Sequence, residues 1–148
     1  MLLSPHTSYL NLTVVPTGVD WRCARLDLRG NPMSSLTGGT TQTDGAWTQL
    51  PTSITYLDLS ATGLVALPTG VFTQGNGKYN LVTLKLAWNL IETIAVGAFS
   101  RLAALESLDL SYNRLSTLPA GGWTLISFSF TQPYNAHPPV TNPYPSPM

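Results

Sequence analysis

The sequence predicts a solenoid, a stack of short strand-and-turn units that share one apolar interior. Three observations predict it. One phrase recurs four times: Cys23-x-x-Leu26-x-Leu28-x-x-Asn31-x-Met33, Ile54-x-x-Leu57-x-Leu59-x-x-Thr62-x-Leu64, Leu81-x-x-Leu84-x-Leu86-x-x-Asn89-x-Ile91 and Leu105-x-x-Leu108-x-Leu110-x-x-Asn113-x-Leu115. The copies start at 23, 54, 81 and 105, at intervals of 31, 27 and 24 residues, which is the range of solenoid repeats. The chain of 148 residues is 43 % apolar and only 9 % charged, as suits one domain that buries leucine. Such an architecture presents a surface more often than it encloses a reaction centre.

At the front, residues 1–22 read as an N-terminal segment or degenerate cap, with Tyr9 to Val15 as a covering strand. Within each repeat, the L-x-x-L-x-L part alternates apolar and polar residues, the period of a strand with one face buried. The x-x-N-x-L part turns the chain, and an asparagine amide there can satisfy backbone groups that the turn leaves unpaired. Asn31, Asn89 and Asn113 therefore predict a ladder along the stack, while Thr62, with only a hydroxyl, predicts its weakest turn.

The return segments carry Leu36, Leu67, Ile94 and Leu118, then Phe72, Phe99 and Trp123, as a second apolar column toward the convex side. No single repeat could bury that interior alone. The glycine-rich stretches 38–45 and 74–78 read as convex loops. Leu125-x-x-Phe128-x-Phe130 repeats the strand pattern without the turn, as a terminal strand that closes the repeat domain at 23–130. Residues 131–148, with prolines 133, 138, 139, 143, 145 and 147, read as an extended tail.

Several function classes find no support. Seven basic residues balance seven acidic ones, so nucleic acid is not an expected partner. No apolar run reaches the ~20 residues of a membrane helix, and Met1 to His6 lacks the pattern of a secretory signal. Asn11-Leu12-Thr13 fits a glycosylation sequon, a triplet that also arises by chance. The two histidines, His6 and His137, lie outside the repeats, and Cys23, the single cysteine, occupies an inward position where a thiol is inert. No cofactor, metal or phosphate-binding motif appears. The expectation is a protein that is not an enzyme.

The four phrases resemble leucine-rich repeats across about residues 23 to 130. The last two are similar to the roughly 24-residue subtype common in eukaryotic receptor and adhesion proteins, through Ile91 to Ile94, Gly97 to Leu102 and Leu118-Pro119. Leu50 to Ser60 also resembles repeats of bacterial effector and protist proteins. The resemblance implies an α/β-type solenoid: a short leucine-rich-repeat horseshoe with a parallel β-sheet on the concave face and loop or 3-10 returns on the convex face. It also implies binding of a protein ligand through that face. The chain departs from the receptor pattern in having no cysteine caps and no membrane anchor, which leaves a fragment of a larger receptor or effector as an alternative. A self-associating or spacer segment is another.

Register names the free strand positions. The third holds Arg25, Tyr56, Thr83 and Ser107; the fifth, Asp27, Asp58, Lys85 and Asp109; the seventh, Arg29, Ser60, Ala87 and Ser111; the eighth, Gly30, Ala61, Trp88 and Tyr112. Arg25, Asp27 and Arg29 read as a solvated charge row. The candidate protein-binding residues are Arg25, Tyr56, Asp58, Lys85, Trp88, Asp109 and Tyr112. Exposed aromatics beside charge are typical anchors. Trp88 and Tyr112 fit equally well as rim aromatics packed on a turn or on the C-terminal strand.

Overall fold

The computed structural model describes residues 7–13, 24–33, 53–72 and 80–119, with the backbone of 127–129. Along the chain run β1 (Arg25–Asp27), β2 (Tyr56–Asp58), β3 (Ala66–Leu67), β4 (Thr83–Lys85), β5 (Thr93–Ile94), β6 (Ser107–Asp109) and β7 (Ser127–Ser129). Five of them form one parallel sheet in the order β1-β2-β4-β6-β7. The sequence phrases stand in register without slippage: Leu26 opposite Leu57, then Leu84, Leu108 and Phe128. The terminal strand expected at 125–130 is thus β7, added edge-on to β6.

The leucines within and just after each strand point inward because alternate residues of a strand face opposite sides. Leu26, Leu57, Leu84 and Leu108 are buried, as are Leu28, Leu59, Leu86 and Leu110. The return segments close the core from the other side. Leu67 and Ile94 are buried, Leu118 packs against them, and the rings of Phe72 and Phe99 stack at 6.1 Å. Each fully buried side chain of this size contributes about 1.5–3 kcal/mol, so the stacked interior is the main source of stability.

The convex side differs in one respect from the expected loops. β3 and β5 pair in parallel as a small second sheet, with Ala66 opposite Thr93 and Leu67 opposite Ile94. Beyond β5 the return is a run of i→i+3 turns: Ala98 N–H donates to Ala95 O, Ser100 to Gly97, Leu102 to Phe99 and Leu105 to Leu102.

The asparagine ladder is present. Asn89 Nδ2 donates to Leu59 O at 2.8 Å and to Leu86 O at 2.9 Å, joining one repeat to the next, while its Oδ1 accepts from Thr62 N and Leu64 N. Asn113 repeats the pattern with Leu86 O, Leu110 O and Ile91 N. Thr62 does not. Its hydroxyl donates to Leu59 O within its own repeat and lies 3.0 Å from Asn89 Oδ1. Where Leu64 N and Ile91 N find an amide oxygen in the following repeat, Met33 N folds back on Asn31 O at 2.7 Å. The rung between the first two repeats is therefore the one without an amide.

The front is built differently from the strand expected at Tyr9 to Val15. Residues 7–12 supply the turn half of a repeat. Thr7 N donates to Asp27 O and Tyr9 N to Arg29 O, and Asn31 Oδ1 accepts from Leu10 N and Leu12 N while Asn31 Nδ2 donates to Thr7 O. Tyr9 and Asn11 have φ of 57°, which no strand adopts. Val14 and Val15, like Cys23, Leu36, Trp123, Phe130, the loops at 38–45 and 74–78 and the tail, lie outside the described residues.

Candidate functional site

Two groups of side chains stand along the stack, one on the large sheet and one at the bends that follow its strands. The first is a charged network on β1 and β2. The guanidinium of Arg25 lies 3.6 Å from the ring centre of Tyr56, a cation–π contact worth about 0.5–1 kcal/mol at an exposed site. The Tyr56 hydroxyl donates to Asp58 Oδ2 at 3.3 Å. Burial, and then the Asp58 carboxylate, raise the Tyr56 pKa above the usual value, so the phenol keeps its proton at neutral pH. Arg29 holds Asp27 through Nε at 3.2 Å and Nη2 at 2.9 Å, and reaches Asp58 at 3.8 Å. The hydrogen bond with Asp27 holds the Arg29 pKa above its ordinary value.

The aspartates of the fifth position have a structural task. Asp27 Oδ1 accepts from Arg29 N, Asp58 Oδ1 from Ser60 N and Asp109 Oδ1 from Ser111 N. A short polar side chain that bonds the backbone two residues on stabilises a turn, so each carboxylate fixes the exit from its strand. Asp58 is only 3 % exposed. Lys85 and Asp109 are half-buried and stand opposite one another in the register.

The second group stands at the eighth position, where every repeat bends. Tyr9, Gly30, Ala61, Trp88 and Tyr112 all have positive φ, between 55° and 66°. For a residue with a Cβ this conformation costs roughly 1–2 kcal/mol, and it is uncommon for bulky side chains. The N–H groups of Gly30, Ala61 and Trp88 each donate to a carbonyl of the next repeat, Ser60 O, Ala87 O and Ser111 O. The left-handed bend thus aims each amide along the stack. It also launches the side chains in parallel, one repeat apart. Trp88 and Tyr112 use that geometry to stack, with ring centres 3.9 Å apart and planes 9° apart. Such pairs contribute about 0.5–1.5 kcal/mol beyond area burial, which offsets part of the backbone cost. Trp88 stays 63 % exposed and Tyr112 43 %.

Of the seven residues singled out by sequence, the structure brings Arg25, Tyr56 and Asp58 together in one network and Trp88 with Tyr112 in one stack. Lys85 and Asp109 pair across β4 and β6, in the two repeats that carry Trp88 and Tyr112. Sequence reasoning passed over Arg29 and Tyr9. Arg29 looked like a solvated charge, and Tyr9 lies in a segment with no complete phrase. A search for half-repeats, Thr7-x-x-Leu10-x-Leu12, carries the signal for Tyr9. Among the described residues, no three His, Cys, Asp or Glu side chains group as metal ligands, and no helix is long and apolar enough to cross a membrane.

Comparison with known proteins agrees with this geometry. The leucine rich repeat family profile matches residues 52–115 and 79–125, together half the chain. Tsukushi of Xenopus tropicalis is 45 % identical over 74 residues, which is 50 % of this chain and 21 % of that protein. Human leucine-rich repeat and fibronectin type III domain-containing protein 1 is 46 % identical over 71 residues, 48 % of this chain and 9 % of its own length. A chain in the Drosophila Toll–Spatzle complex superposes with a TM-score of 0.61 at 25 % identity, covering 74 % of this chain and 14 % of that one. This chain spans at most 21 % of the length of each. In-register leucines, a parallel sheet and an asparagine ladder, together with these matches, show that the chain belongs to the leucine-rich-repeat family.

Proposed function

We propose that the chain is a protein-interaction module whose concave face binds a protein ligand, with the Trp88–Tyr112 stack as its anchor. Leucine-rich-repeat proteins are generally interaction modules and generally not enzymes, and the fold neighbour comes from a complex of Toll with Spatzle. The observation that carries the reading for this chain is the stack itself. A tryptophan held rigid, 63 % exposed and in a costly backbone conformation offers large contact area with little entropy left to lose, the property of a binding hot spot. Arg25 on Tyr56 supplies a second, charged contact at the β1 edge.

The test is a ligand captured on the immobilised domain, then measured against Trp88→Ala and Tyr112→Ala. Each variant should keep its circular dichroism spectrum and weaken binding by at least about thirtyfold, the equivalent of the about 2 kcal/mol that marks a hot spot. Unchanged affinity refutes the anchor. Sedimentation at several concentrations distinguishes self-assembly: a concentration-dependent dimer without ligand would replace this reading.

A further inference from the structure

We propose that the eighth-position column contains a notch, walled by Tyr9 and Trp88 and floored by Ala61, that takes a proline of an extended ligand segment next to an acidic residue. The proposal rests on the concave-face reading and assigns its ligand chemistry.

The column reads Tyr9, Gly30, Ala61, Trp88, Tyr112, all bent alike. The Tyr9 ring lies over Gly30, occupying the space a Cβ there would fill. Trp88 is stacked on its other side by Tyr112. Among the described residues of the column, the exposed Ala61 stands between Gly30 and Trp88. Gly30 and Trp88 are two repeats apart, so at about 4.8 Å per strand the main chains that carry the two walls stand about 10 Å from each other. Tyr9 is 72 % exposed and Trp88 63 %, so both walls are open to solvent.

The width selects the occupant. Trp88 and Tyr112 contact face to face at 3.9 Å. A flat ring touching both walls would therefore need them about 8 Å apart. A puckered saturated ring is thicker and fits the wider gap. Proline also arrives in an extended segment that has little conformational freedom to lose, and aromatic-lined grooves are the common way of reading it.

Charge selects the neighbour. Arg29 lies beside Tyr9, whose N–H donates to the Arg29 carbonyl. Its side chain is 47 % exposed and fixed by two bonds to Asp27. Arg25 is exposed at the start of β1, the strand that leads into Arg29. Their counter-charges, Asp27 and Asp58, are buried beneath them. The outermost charge beside the notch is therefore positive, and a guanidinium already held in place recognises a carboxylate with less entropy lost.

Selection of displayed random peptides of about a dozen residues on the immobilised chain tests this. Enriched peptides should share an acidic residue next to proline. Ala61→Tyr fills the notch with a residue the bend already accepts at 9 and 112, so the fold is kept; it should weaken these peptides about tenfold, and Arg29→Gln about fivefold. A selection whose peptides lack the acid–proline pair, or none of which is sensitive to Ala61→Tyr, overturns the notch. If such peptides are still lost on Trp88→Ala, the concave-face reading stands without it. If Trp88→Ala also leaves them bound, both fall.

Discussion

Replacing Asn89 by alanine should cost far more than the loss of one exposed amide. The side chain is 4 % exposed and serves four close backbone groups: it donates to Leu59 O and Leu86 O and accepts from Thr62 N and Leu64 N. The groups do not suffer equally. Leu59 O keeps the Thr62 hydroxyl and Leu86 O keeps Asn113. Thr62 N and Leu64 N lose the acceptor that faces them. Two buried donors left without partners cost about 1–3 kcal/mol each, and the weakened carbonyls add a little, so the expected loss is about 3–5 kcal/mol. A domain holds about 5–15 kcal/mol in all, so the midpoint of urea denaturation should fall steeply. The m-value should stay constant, because the same surface is exposed on unfolding. A loss below about 1 kcal/mol would mean that water or the Thr62 hydroxyl replaces the amide, and would refute the ladder as the tie between repeats.

The converse change, Thr62→Asn, supplies the missing rung with a donor for Leu28 O and an acceptor for Met33 N. It should raise stability by about 1 kcal/mol in the same urea titration, and an unchanged midpoint would refute the account of the weak rung. Gly30→Ala should destabilise by about 1–2 kcal/mol from its φ of 66° alone, with more from displacement of the Tyr9 ring. Thermal melts in the Tyr9→Ala background should recover only the second part, and equal losses in both backgrounds would remove the contact from the explanation. The Tyr56 phenol has a folded pKa above its unfolded value near 10.0, so its contribution is complete below pH 10 and lost as pH rises through the folded value. Melting temperatures from pH 8 to 11 should therefore fall less for Tyr56→Phe than for the natural chain; identical profiles would refute the linkage.

Much of the fold was legible because the apolar period and the strand period coincide. A slip of one residue would turn Leu57, Leu84 and Leu108 to solvent, so the phrase alone determined the register later found. The Thr62 rung was legible for a similar reason, since a hydroxyl lacks the second atom that bridges repeats. The front was less legible. Residues 7–12 contribute hydrogen bonds more than leucines, and those depend on where Asn31 lies in space. The pairing of β3 with β5 depends on equal return lengths in successive repeats, which a two-residue strand hardly signals. In the candidate site, Trp88 and Tyr112 were visible as a column. Their stacking was not, because it follows from a left-handed backbone shared by dissimilar residues. The carboxylates of Asp27, Asp58 and Asp109 looked free by alternation alone, and only the chain's bend two residues later shows what occupies them.

The shared bend separates two things that usually change together. At 61, 88 and 112 the main chain follows one course whether the residue is alanine, tryptophan or tyrosine. Exchanging those three residues would rewrite the exposed side chains of the column while its scaffold stays still. A small combinatorial library at these sites could therefore yield new recognition from an unaltered frame, and natural drift could retarget the module by the same route.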